Sequence, residues 1–287
     1  MRAGGPGDHD GSVIDRIERL STDDLPACLA LAENREWLPE AHKWRLLFAV
    51  GTVYGLRDEA GDVVATAILT RYGTRLAAIS MVLVASRYGR RGLGGRLMTH
   101  LLDEAGDATV FLNATPYGRP LYERLGFVPI GTTHTHVGRL EPTGPAATRP
   151  AVPGDLAMLL ALDARVNGAD RSHVLRTLPD FAECVRVVER RGIVSGYAAA
   201  WRNVDNVVIG PVIAADAADA RALIGDIAAT IDGPVRLDLD GRHPELRRWA
   251  AGRGVPEWGS TTVMVYGAPE LPGDRDRWFV PLMQALG

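Results

Sequence analysis

Val82-Leu-Val-Ala-Ser-Arg-Tyr-Gly-Arg-Arg-Gly-Leu-Gly-Gly95 is the stretch on which the reading of this chain turns. Behind it, Ala77-Ala-Ile-Ser-Met-Val-Leu-Val84 is dense in large and β-branched apolar residues, the composition of a buried strand. Ahead of it, Leu93, Leu97, Leu101 and Leu102 recur at helical spacing as far as Glu104. Strand, glycine-rich turn and helix in that order aim several unpaired backbone N–H groups, at a positive dipole end, toward one point. Such a point cradles a phosphate or pyrophosphate. Gly92, Gly94 and Gly95 let a ligand approach the main chain around Leu93, and Arg90, Arg91 and Arg96 add formal charge. A turn of this kind, taken alone, is also a common tight connection. No Gly-Lys-Ser/Thr follows it, which excludes a Walker loop, and Leu97 stands where a dinucleotide fingerprint needs its third glycine.

The deciding signal lies about thirty residues downstream. Thr109-Val-Phe-Leu-Asn-Ala114 reads as a second strand and leads into Thr115-Pro-Tyr-Gly-Arg-Pro-Leu-Tyr-Glu-Arg-Leu-Gly-Phe127. Pro120 suits a first helical turn, Gly126 a left-handed helix stop, and Phe127 resumes a strand through Val128 and Ile130. The pairing of R-R-G-L-G-G after an apolar strand with L-Y-E-R-L-G-F at this separation resembles the GNAT superfamily of acyl-CoA-dependent N-acyltransferases, over residues 14–138. The resemblance implies that the glycine turn (Arg90, Arg91, Gly92, Leu93, Gly94, Gly95, Arg96) binds the coenzyme A pyrophosphate. It implies further that backbone groups of Val82, Leu83 and Val84 hold the pantetheine arm and the acyl carbonyl, and that Tyr122 protonates the departing thiolate. One departure is Gly89, where the family turn carries Gln or Arg. Main-chain amides supply most of a phosphate contact, so the cradle survives that change, with Arg90 or Arg91 replacing the side chain.

The other polar residues admit two readings each. Tyr122 is either the proton donor or a half-buried helix residue. Asn113, ending its strand, either binds the pantetheine amide or the acceptor, or satisfies loop amides. The strand at 77–84 carries no acid; Ser80 is its one polar side chain, so no general base is evident there. Glu33, Glu36 and Glu40 lie where the family places acceptor-binding elements, though each alone reads as a solvated surface charge. Trp37 and Trp44 could wall a cationic or apolar acceptor, with core packing the simpler account for Trp44. His134 and His136 share one strand face, but a third metal ligand is lacking in sequence and a structural role is favoured. No metal is expected.

With 46% hydrophobic and 23% charged residues the chain has an ordinary soluble composition, and a net charge of −3 gives no support to nucleic acid or an anionic membrane as partner. Lys43 is the one lysine among many arginines, a bias expected of a GC-rich bacterial genome. Cys28 and Cys184 form no CxxC and read as small core residues. No apolar segment reaches membrane-spanning length and no signal-peptide core opens the chain, so the expected location is cytoplasmic.

The proline-rich segment around 141–153 divides the chain. The expected organisation is a flexible tail (1–12), a catalytic domain (13–140), a linker (141–153), a second domain (154–268) and a C-terminal tail packing on both (269–287). The first domain should be mixed α/β, with strands at 14–20, 53–57 and 63–71, and with the strands at 77–84 and 109–114 parallel. The second echoes it: Gly192–Ala200 mirrors Gly61–Leu69, Val207–Ala214 mirrors 77–84, Val235–Leu239 mirrors 109–114, and Gly254 stands where Gly126 stands. Its chemistry is missing. After Ala214 come two acids and no glycine as far as Arg221, and Ala250 matches Tyr122. The plan resembles tandem GNAT proteins with one working half.

The resemblance therefore implies transfer of an acetyl group from acetyl-CoA to an amine of a small molecule or peptide, by direct attack, because neither cysteine lies in the motif region. A non-catalytic acyl-CoA-binding module and a structural scaffold stand as readings from other classes. Acceptor identity and oligomeric state stay open at this level.

Overall fold

The computed structural model describes residues 16–287, and the expected tail at 1–12 lies outside the described residues. The first half runs β1 (Glu18–Arg19), α1 (Leu25–Asn34), α2 (Ala41–Val50), β2 (Thr52–Arg57), β3 (Val63–Tyr72), β4 (Leu76–Val84), α3 (Leu93–Ala105), β5 (Thr109–Ala114), α4 (Arg119–Arg124) and β6 (Val128–Gly138). Of the strand expected at 14–20, only two described residues pair. Ser21 and Asp24 form a capping box on a 3-10 turn that feeds α1. α3 is helical because its apolar residues fall on one face; Leu93, Leu97, Met98, Leu101 and Ala105 are buried against β3 and β4.

The second half repeats the order. It runs β7 (Arg149–Pro150), α5 (Leu156–Asn167), the single turns α6 (Ser172–Leu175) and α7 (Leu178–Phe181), then β8 (Cys184–Arg190), β9 (Ile193–Arg202) and β10 (Val207–Ile213). After these come α8 (Ala217–Ala228), β11 (Val235–Asp240), α9 (Pro244–Ala251), β12 (Glu257–Tyr266) and β13 (Trp278–Val280). The helix echoing α4 starts earlier and is longer than the sequence comparison indicates, but its end superposes in detail. Phe127 N donates to Tyr122 O and Val255 N to Ala250 O, each at 3.0 Å, with Gly126 and Gly254 both left-handed (φ 91° and 86°).

The thirteen strands among the described residues form one mixed sheet, ordered β1-β2-β3-β4-β5-β12-β6-β11-β10-β9-β8-β7, with β13 on β10. The halves trade strands. β12 inserts between β5 and β6, running antiparallel to both, while β6 pairs antiparallel with β11. Each half thus completes the other's sheet, and one apolar core cluster runs from Leu20 to Leu286 through both.

Two parallel pairs interrupt this regular pattern. β4 and β5 are joined only from Leu76 to Ala78 and from Thr109 to Phe111, then diverge. β10 and β11 are joined only at Val207–Val208 and Val235–Arg236, then diverge as well. The fold therefore holds two splays, one per half. Among the described residues no helix is long and apolar enough to cross a membrane. Cys28 is fully buried and Cys184 partly so, both as free thiols; burial pushes Cys28 up to about 12.

Candidate functional site

The first splay opens where β4 is distorted. Pairing with β3 shifts register between Thr66 and Ile68, and Met81 takes a left-handed φ of 49° that a β-branched or bulky side chain rarely adopts. Thr66 Oγ1 donates to Met81 O at 3.0 Å and holds the bulge. Among the described residues the β5-facing edge of β4 has no strand partner from Ile79 to Val84, and Val82 and Val84 are only half-buried, while the Leu83 side chain is buried.

The turn after β4 ends in the cradle the sequence predicts. Arg90 (φ 63°) and Gly92 (φ 79°) are left-handed, and Gly92 serves as the N-cap of α3 without any side-chain cap. A helix leaves its first-turn amides without intrahelical acceptors, so Leu93, Gly94 and Gly95 present open N–H groups there. The left-handed angle falls on Gly92 and not on Gly94, which lies inside the helix. A Cβ at Gly94 would sit 3.4 Å from Leu121 and 3.6 Å from Val84, in the floor of the cradle. Arg90, Arg91 and Arg96 are exposed around it; Arg91 also lies over the Tyr88 ring.

Tyr122 sits on α4, buried beside Phe127 in an edge-to-face arrangement. Burial pushes its phenol up to about 12, so it stays protonated. Among the described residues no hydrogen bond reaches its hydroxyl. Asn113 is half-buried and engaged: its Nδ2 donates to Gln284 O at 2.9 Å, and its Oδ1 accepts from Thr133 Oγ1 at 3.0 Å.

Beside β4 lies a cleft of about 500 Å³ that brings Glu36, Trp37, Glu40 and Asn113 together with Ser80 and Met81. Glu33 is exposed on α1 and is not part of its lining, and Trp44 is fully buried in the core. Glu40 is not a solvated charge: it is 8% exposed, ion-paired with Lys43 and hydrogen-bonded by Asn203 Nδ2 at 2.8 Å. Ser80 lines this cleft, and its buried hydroxyl has no hydrogen-bond partner among the described residues.

Half of the cleft comes from the other half of the chain. Arg236 and Asp238 on β11, Trp258 to Thr261 on β12, and Met283 to Ala285 line it. The alternation in Val235-Arg-Leu-Asp-Leu239, two charges on one face of a buried strand, was the available signal for the first two. A second cavity of about 730 Å³ opens on the same sheet face, since it is lined by Asp240, two residues on from Asp238. Residues 281–287 run between them, with Pro281 and Gly287 on one cavity and Gln284 on the other. Each imidazole is tied down through its Nδ1. His134 Nδ1 meets Glu257 and His136 Nδ1 meets Val255 O, each at 2.9 Å, and no metal-holding cluster exists among the described residues.

The second splay has neither feature. The carboxylate of Asp216 caps α8, accepting from Ala218 N and Asp219 N at 2.9 Å each. The opening itself is filled by β13, which pairs antiparallel with β10 at Val212 and Val280. A Cβ on Gly210 would collide with the Pro281 carbonyl, so the segment packs directly on bare backbone.

Residues 14–127 match the acetyltransferase (GNAT) family, and residues 159–280 match an acetyltransferase (GNAT) domain. The chain is 27% identical over 287 residues to the uncharacterized N-acetyltransferase YitH of Bacillus subtilis (strain 168), covering 96% of this chain and 99% of that protein. Among solved structures it resembles a proposed acetyltransferase of Pyrococcus horikoshii, with a TM-score of 0.78 at 18% identity over 100% of this chain and 99% of that one. It also resembles a tandem GNAT protein of the clavulanic acid biosynthesis pathway, with a TM-score of 0.60 at 15% identity over 89% and 99% of the two chains.

Proposed function

The chain belongs to the GNAT acetyltransferase family, with one such domain in each half, and from that premise we propose that its first half moves an acetyl group from acetyl-CoA to an amine by direct attack. The contrast between the two splays carries this reading. One has an uncapped helix N-terminus and an open strand edge; the other has a carboxylate on its helix and a strand in its opening.

Acetyl-CoA supplies, when bound, a thioester carbonyl and a thiolate leaving group. The amides of Leu93, Gly94 and Gly95 would hold the pyrophosphate, with Arg90, Arg91 and Arg96 around it. The unpartnered edge of Val82, Leu83 and Val84 would align the pantetheine arm and polarise the acyl oxygen through main-chain N–H groups. Tyr122 would face the sulfur. Its phenol, near 12, binds its proton more tightly than a thiolate of cysteine-like pKa, about 8.5. Complete transfer to sulfur is therefore uphill, and the hydroxyl works chiefly as a hydrogen-bond donor to the leaving group. β4 carries no acid, so the amine proton would leave through water in the acceptor cleft.

Titration of the intact protein with acetyl-CoA, followed by thiol release across a panel of amines, tests this. One tight site per chain and acceptor-dependent thiol release are expected. Two equivalent sites would overturn the assignment of coenzyme binding to the first half, and binding without release would leave an acyl-CoA-binding module.

A further inference from the structure

Asp238 is a carboxylate with one oxygen committed and one free. It is 2% exposed on β11. Its Oδ1 accepts from Thr135 Oγ1 at 2.7 Å, from Arg236 Nε at 3.1 Å and Nη2 at 3.0 Å, and from Gln284 Nε2 at 2.9 Å. Among the described residues no donor reaches Oδ2, and that oxygen is not one of the fully buried unpartnered atoms, so it stays open to a partner from the solvent side. Asp238 lines the acceptor cleft, so that oxygen has a cavity in which to find its partner.

The other charges of the cleft are spoken for or point the same way. Glu40 binds Lys43 through Oε2 and Asn203 through Oε1, so both oxygens are used. Arg236 is turned onto Asp238. Glu36, exposed at the mouth, adds one more negative charge, and Trp37 and Trp258 offer ring faces that attract cations. The cleft therefore holds three acids against two bases, with a carboxylate oxygen as its open acceptor.

Asp238 stands too far from β4 to serve the reacting nitrogen. Between β5 and β11 lie three strand steps of about 4.8 Å each, and β4 is on the far side of β5. We propose that Asp238 Oδ2 receives a second, non-reacting ammonium of the acceptor, which is thus an amine carrying another cationic nitrogen at a distance. The half without a coenzyme site is then the half that selects the acceptor. Gln284, on the segment crossing the sheet, positions this carboxylate and is itself fixed by Thr261 Oγ1, which donates to its Oε1 at 2.9 Å.

This assignment rests on the acetyltransferase reading, and the experiment separates the two. Steady-state rates are measured with acetyl-CoA and α,ω-diaminoalkanes of graded length, against straight-chain monoamines of matched length. The wild-type protein should favour diamines, with an optimum at one length, by roughly tenfold to a hundredfold in kcat/KM, the worth of a hydrogen bond to a charged group. Asp238→Asn keeps an oxygen for the four donors, puts an N–H donor at the free position and removes the charge that pairs with Arg236, an effect on Arg236 that falls on both amine classes alike. It should abolish that preference through the diamine KM and leave the acetyl-CoA KM unchanged. Wild-type rates alike for both amine classes, no optimal length, or an equal loss for both in Asp238→Asn would each overturn the proposal, and the first two need no variant. Failure of acetyl-CoA to bind in a separate titration would instead overturn the underlying reading.

Discussion

Asn203 Nδ2 donates to Glu40 Oε1 at 2.8 Å, joining the loop after β9 to the entry of α2 across the junction of the two halves, with both residues buried. The bond fixes the entry of α2 from the far side. Asn203→Ala leaves a buried carboxylate oxygen without its donor, which should cost about 1–3 kcal/mol in urea unfolding. A loss under about 0.5 kcal/mol would show that this bond contributes little to holding the junction.

Burial by itself raises the Glu40 pKa, but Lys43, aided by Asn203 and Arg236, outweighs it and holds the carboxyl below its usual range. A depressed folded-state pKa gives stability that is complete above the unfolded value, about 4.3, and lost as pH falls through the folded one. The stability difference between the wild-type protein and Glu40→Gln should therefore be largest near neutrality and shrink below about pH 4. A difference that grows on acidification would reverse the sign of this coupling.

Gly94→Val should abolish acetyl-CoA binding while sparing the fold. Gly94 lies within α3 at an ordinary helical angle, so a branched residue is sterically possible there, and valine is no worse a helix former than the glycine it replaces. Its side chain would stand between Leu121 and Val84 and fill the space a pyrophosphate needs. Calorimetry should show at least a hundredfold weaker binding with thermal unfolding little changed. Binding equal to wild type would move the cradle elsewhere.

Much of this architecture was legible because local signals agreed. The 3.6-residue spacing of Leu93, Leu97 and Leu101 gave α3, Gly126 gave a helix stop with φ 91°, and the parallel pairing of β4 and β5 followed from the crossover helix. The exchange of β6 and β12 was not legible, because an alternating strand such as Thr132 to Val137 pairs equally well with any antiparallel neighbour. The acceptor cleft was half-visible for the same reason. Trp37 and Glu40 flank a recognisable motif region, whereas Asp238 and Gln284 reach the cleft only through that exchange and through the path of residues 281–287. Glu40 itself reads as a surface charge until Asn203, 163 residues away, is seen beside it.

Tyr122→Phe should lower kcat and leave the acetyl-CoA KM nearly unchanged. The substitution keeps the ring against Phe127, and since no hydrogen bond among the described residues reaches the hydroxyl, no protein group loses a partner. Stability should stay within about 0.5 kcal/mol. The hydroxyl matters only as the carbon–sulfur bond breaks, so its loss belongs in the maximal rate. A hydrogen bond to a developing thiolate is worth about 1.5–3 kcal/mol, or roughly tenfold to a hundredfold, below the upper range for full general acid catalysis. The pH profile separates this role from proton transfer. Burial keeps the phenol neutral until about pH 12, so the alkaline limb of kcat below about pH 10 belongs to another group and should persist in the phenylalanine variant. Rates for both proteins across pH, with the chemical step shown to be limiting, decide the matter. An unchanged kcat makes Tyr122 a packing residue, and an alkaline limb that vanishes with the hydroxyl makes it a titrating acid.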